Sequence, residues 1–125
     1  MKIKKILLSA VLLLLCLIPA GGTVSADVSW YWVDSDSECT TYIDQNSLIK
    51  NGGYFKVWVK SVYQDGHYNM IQYLFYTPTQ RLAIVNAAMY DVNGNQTGVY
   101  TPSMSEYKWA PITPGSLGSK IYSEL

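Results

Sequence analysis

The sequence predicts an α+β fold: an antiparallel meander of about six strands with one C-terminal helix packed on a face of the sheet. Three observations carry this. Aromatic and β-branched residues alternate with polar ones at period two, most clearly in YFKVWVKSVY, residues 54–63. Breakers rich in Gly and Asn separate such runs. Only beyond Thr113 does the apolar spacing lengthen to the four-residue step of a helix.

Each element follows in turn. Residues 28–34 (VSWYWVD) read as a strand that places Trp30 and Trp32 on one face. Ser35 to Glu38 reads as a polar turn, and residues 39–43 (CTTYI) as the next strand. Asp44 is expected to cap one short helical turn running to Ile49. Asn51-Gly52-Gly53 then breaks the chain. In the run that follows, Phe55, Val57 and Val59 fall on one face and Lys56, Trp58 and Lys60 on the other. Asp65-Gly66 suggests a hairpin into residues 68–77, which Pro78 ends. Residues 81–92 contain several alanines that suit a helix. Asn93-Gly94 follows them directly, however, and that pair is the strongest short-range hairpin signal. A strand is therefore expected, pairing with residues 95–101. In the tail, Thr113 is expected to cap the helix with Pro114 in its first turn. Leu117, Ile121 and Leu125 share one face, while Gly115 and Gly118 weaken the helix, so it needs the sheet to hold it.

The chain opens with the layout of an export signal. Lys2, Lys4 and Lys5 form a positive head, and residues 6–18 are apolar apart from Ser9 and Ala10. Pro19, Gly21 and Gly22 follow, then Val24-Ser25-Ala26 as a small-residue cleavage site. The apolar run is shorter than the roughly 18 residues that span a membrane, so cleavage after Ala26 is expected rather than an anchor. Residues 1–26 are thus read as the signal peptide and 27–125 as a single domain, with membrane contact only through the transient signal. Cys16 follows Leu15 rather than the small residue that a lipidation signal wants, and it reads as an apolar filler. All nine acidic residues lie beyond the leader, whereas three of the nine basic ones lie in it. The mature chain is net acidic, which argues against nucleic acid as a partner. Of the two cysteines only Cys39 survives cleavage, either buried and inert or open to an intermolecular bond. Packing must then hold the fold, and all four Trp and all eleven Tyr lie in the mature part.

No constellation spells out catalysis, a metal centre or a cofactor site, so no catalytic residue, metal ligand or cofactor is assigned. His67 is the only histidine, and beside Asp65-Gly66 it reads as a solvated turn residue. It and Cys39 would need to meet in space to act as base and nucleophile, and nothing in their spacing demands it. Asp34-Ser35-Asp36-Ser37-Glu38 alternates carboxylates as calcium loops do. The Gly and Glu expected at the sixth and twelfth positions are instead Cys39 and Gln45, so a solvated acidic turn is the better reading. The remaining candidate is Trp58 between Lys56 and Lys60, an aromatic flanked by cations on one strand face, suited to contact with a protein or a glycan. The competing structural reading packs Trp58 beneath the terminal helix, with the lysine stems covering it. Both faces of this strand carry apolar bulk, so one can take the helix and the other a second copy of the chain, a homodimer.

The order of these features resembles the bacterial surface-adhesin protein E-like family. The resemblance rests on Trp30 to Val33, Tyr42-Ile43-Asp44 with Ser47-Leu48-Ile49, and Val57-Trp58-Val59-Lys60. It continues with Arg81 ahead of Tyr90-Asp91-Val92-Asn93-Gly94, and with Trp109-Ala110-Pro111-Ile112-Thr113-Pro114-Gly115-Ser116 leading into the helix. It implies an antiparallel sheet with a C-terminal helix, exported to the periplasm or surface. The family's namesake acts as a dimeric adhesin for host matrix and serum proteins, so a host matrix protein is the ligand that the resemblance suggests. Relatives often carry a cysteine in the segment before Arg81 and another at the end of the helix. Here residues 76–80 and 122–125 have neither. The expectation is a non-enzymatic extracytoplasmic binding domain, adhesin-like, using sheet-surface aromatics. The alternative is a periplasmic structural or envelope-associated protein without a host ligand.

Overall fold

A computed structural model describes residues 28–125; the expected signal peptide, its cleavage site and Cys16 lie outside the described residues. The sheet consists of β1 (Trp30–Ser35), β2 (Cys39–Asn51), β3 (Tyr54–Tyr63), β4 (Tyr68–Tyr76), β5 (Arg81–Tyr90), β6 (Gln96–Tyr100) and β7 (Ala110–Pro111), and α1 (Leu117–Ser123) follows. The first six strands pair in sequence order, each antiparallel to the next, and β7 pairs with the start of β5. The expected meander and C-terminal helix are therefore present, with β7 as an additional short strand. Residues 81–90 form a strand despite their alanines, because β4 and β6 flank them with ladder hydrogen bonds that outweigh helix propensity.

The hairpins show how local chemistry fixes register. Gly52 and Gly53 join β2 to β3 as a two-residue loop with both φ angles positive, at 58° and 87°. The other two are longer than their Asp-Gly and Asn-Gly pairs suggest. The Gly66 N–H donates to the Tyr63 carbonyl (3.0 Å) and the Tyr63 N–H to the His67 carbonyl (2.9 Å). The Asp91–Asn95 loop repeats these bonds at 3.0 and 2.9 Å. In both, only the glycine takes positive φ (100° and 84°), the bulged three-residue form of the hairpin.

Alternation sorts side chains to two faces. One face forms the core: Val33, Ile43, Val57, Val59 and Phe75 are buried against Ile121 of α1. On the same face the Thr41 and Ser61 hydroxyls are buried and hydrogen-bond each other at 3.3 Å. The Tyr122 ring packs between Phe55 and Phe75, with centroids 6.2 and 5.4 Å away. A bulge between Trp32 and Asp34 sets Asp34 opposite Thr41, on the helix side, where its carboxylate reaches Lys120 of α1 at 3.1 Å.

Two expectations need correction, and one left open is resolved. No helical turn follows Asp44; β2 runs on through it, with its register shifted between Asp44 and Ile49. The capping chemistry of Asp44 is real but closes a bulge: its carboxylate accepts from the N–H groups of Asn46 (3.1 Å) and Ser29 (3.0 Å). Ser116, rather than Thr113, caps α1. Its hydroxyl accepts from the Ser119 N–H (3.2 Å) and donates to the Thr113 carbonyl (2.6 Å), so the helix starts after Gly115 instead of at Pro114. Of the two readings left open for Cys39, full burial does not hold: the residue is partly exposed, because it opens β2 beside the 35–38 turn. No helix among the described residues is long and apolar enough to cross a membrane.

Candidate partner-binding face

The face of the sheet away from α1 carries the predicted residues. Lys56, Trp58 and Lys60 alternate with Val57 and Val59 along β3, and those valines are buried against the helix side. Trp58 therefore does not pack beneath α1. Cross-strand register builds rows around each residue. Lys56 lies between Ile49 and Leu74, Trp58 between Asp44 and Gln72, and Lys60 between Tyr42 and Met70. The row through Lys60 extends to Trp32 on β1, and the row through Trp58 extends to Trp30.

Two tyrosine pairs frame this strip, Tyr54 with Tyr76 at one end (centroids 4.7 Å, rings tilted by 36°) and Tyr68 stacked on Tyr90 at the other (4.8 Å). Between them Lys60 is held as a half-buried cation. Its ammonium lies 4.7 Å from the Tyr68 ring centroid and 5.8 Å from that of Trp30. Burial pushes its pKa below the usual lysine value. The aromatic faces offset part of that desolvation cost, by about 0.5–2 kcal/mol in general.

The backbone beneath Trp58 is pinned by the β2 bulge. The Trp58 N–H donates to the Ser47 hydroxyl (2.9 Å), which donates in turn to the Asp44 carbonyl (2.6 Å). A side chain thus replaces the ladder bond that the register shift removes.

Lys56 has a different setting from Lys60. It lines an open groove of about 460 Å³ with Tyr54, Leu74, Gln72 and Val85. Ile49 and Asn51 at the end of β2 form one rim, and Met104 and Tyr107 the other. Val85 is the extra residue of a bulge between the Gln72 and Tyr73 pairings. Met104 sits on a single 3-10 turn, Met104–Glu106, which closes on itself. The Glu106 carboxylate accepts from the Ser103 N–H and hydroxyl, each at 2.9 Å, and the backbone bond holds its pKa below the usual range. Sequence reasoning thus grouped three residues that the structure divides, with Lys56 in a groove and Lys60 in an aromatic cage. It missed Tyr68, Tyr42, Ile49, Met104 and Tyr107, which join the face only through strand register. Tyr42 and Tyr68 are the two readable in principle, once β2, β3 and β4 are aligned by their hairpins.

The other polar clusters are occupied structurally. The Asp36 carboxylate accepts from the N–H groups of Cys39 (2.9 Å) and Glu38 (2.7 Å), which lower its pKa. Asp34 pairs with Lys120. The His67 ring stacks on Tyr63 (4.3 Å) and bonds the Asp65 carboxylate through Nδ1; the His67 backbone N–H is the main cause of that carboxyl's lowered pKa. The histidine is thus engaged with its own turn.

A family model described as surface-adhesin protein E matches residues 30–124 of this chain. No curated protein and no solved structure matches it.

Proposed function

The chain belongs to the surface-adhesin protein E family, and on that footing we propose that it is an exported, non-catalytic binding domain that captures a protein ligand on the sheet face opposite α1. Family membership supports an adhesin-like role and an extracytoplasmic or surface address. The finer reading is that the leader is cleaved after Ala26 and that the mature domain engages a host matrix protein. The observation that carries it is Trp58 flanked by Lys56 and Lys60 on the face away from the helix, between two tyrosine pairs in ring contact. Half-exposed Trp and Tyr are enriched at interface hot spots, where a rigid ring supplies contact area, and the flanking lysines add charge that orients an approaching partner.

The test is saturable binding of the protein to immobilised matrix proteins. The triple variant Lys56→Ala, Trp58→Ala, Lys60→Ala is expected to lose at least about tenfold in affinity, as removal of a central aromatic hot spot does. Unchanged binding would reject this face. Cell fractionation checks the address: protein found wholly soluble in the periplasm would favour a structural or envelope-associated role without a host ligand. A second copy of the chain is the other occupant that this face suits, and sedimentation showing only monomer at high concentration would eliminate it.

A further inference from the structure

We propose that the groove between the end of β2 and the Met104–Glu106 turn binds a small amphipathic carboxylate, an alkyl acid whose head pairs with Lys56 and whose chain lies over Leu74 and Val85 towards Met104. This site requires no protein ligand. Four observations converge on it. The groove, at about 460 Å³, falls within the roughly 300–1,000 Å³ typical of small-ligand sites. Its lining includes one cation and no carboxylate, and Lys56 makes no ion pair among the described residues. The charge that completes it is therefore negative.

Apart from the amides of Asn51 and Gln72, the rest of the lining is apolar or aromatic. Leu74 and Val85 form the floor, Tyr54 and Tyr107 supply ring faces, and Ile49 and Met104 stand on opposite rims. Met104 is 81% exposed and Ile49 56%, so two large apolar side chains face a groove with nothing described between them. Nor is Met104 on a loose loop: the bonds from Ser103 to Glu106 close its turn, and the Tyr107 ring meets Trp109 edge-on with centroids 6.4 Å apart. A turn closed by its own bonds that leaves Met104 exposed at the groove suits a ligand that covers it. One cation cannot satisfy a polyphosphate, and an apolar floor disfavours a fully hydrated anion. A single carboxylate on a hydrocarbon chain meets both constraints.

Calorimetric titration with decanoate, decanol and decyltrimethylammonium tests this, each held below its micelle concentration. Decanoate is expected to bind, decanol about tenfold or more weakly, and the cation not at all, since a charge-assisted bond to Lys56 is lost or reversed. Lys56→Gln should bring decanoate down to the affinity of decanol, and Lys56→Arg should restore most of the difference. Met104→Ser should weaken decanoate and decanol alike. Equal binding of all three amphiphiles, no binding of decanoate, or a Lys56→Gln variant with unchanged affinity would overturn the proposal. So would uptake that occurs only on micelles or on phosphatidylglycerol vesicles, which would point to a lipid surface instead of a single acid.

Discussion

Lys60, on the proposed binding face, carries a stability cost. Its ammonium is half-buried between Tyr68 and Trp30, and burial lowers its pKa below the unfolded value. The unfolded chain therefore holds the proton more tightly. Below the folded pKa the penalty is complete, and it is relieved as pH rises through the folded pKa towards the ordinary value near 10.5. Tyr73 acts in the opposite sense. Burial raises its pKa, so its contribution is complete below pH 10 and fades as pH rises through the raised value. Comparing the protein with Lys60→Met isolates the lysine. Urea unfolding at pH 8 and pH 10 should show the parent gaining stability relative to the variant at the higher pH; parallel pH profiles would contradict the desolvated setting.

Among the elements, caps and turns carry most of the local specification. Ser116→Ala removes both hydroxyl bonds at the start of α1 and should cost about 1 kcal/mol. Thr113→Ala keeps the carbonyl that Ser116 uses and should be close to neutral, which chemical denaturation of the two variants will distinguish. Asp91 holds the β5–β6 turn by accepting from the N–H groups of Asn93 and Asn95, each at 2.9 Å. Asp91→Ala should therefore speed hydrogen exchange in β6 with little effect on β2 and β3.

The sequence made the period-two face of β3 and the turn residues legible, because each is a local property of neighbouring side chains. Bulges were not legible. The shifts at Trp32/Asp34, Asp44/Ile49 and Gln72/Tyr73 depend on what the neighbouring strand needs, and they decide where Asp34, Ser47 and Val85 point. Gly118 illustrates the same limit. It reads as a weak helix former, yet a Cβ there would fall 2.5 Å from Cδ2 of Leu82, so its smallness lets α1 close on β5. Of the candidate face, the Lys56-Trp58-Lys60 alternation was visible locally. The Met104 rim is far away in sequence and has no periodic pattern to announce it.

For the whole molecule, a short helix does the work of a second layer. Ile121 is fully buried and meets Val57, Val59 and Phe75 across the sheet. Ile121→Ala should cost about 2–5 kcal/mol, a large share of the roughly 5–15 kcal/mol that holds a domain together. A lower urea midpoint with an unchanged slope is the expected result; a variant as stable as the parent would mean that α1 is not what closes the core.

Because each of the first six strands hydrogen-bonds to its sequence neighbour, the sheet can assemble in the order in which the polypeptide emerges, one hairpin after another. The lid comes last. Until Leu117 to Ser123 arrive, the greasy side of β3 and β4 stays wet, and a nascent chain stopped short of them is the form most prone to stick to its neighbours. Closing that side of the sheet thus waits on the seven residues of α1.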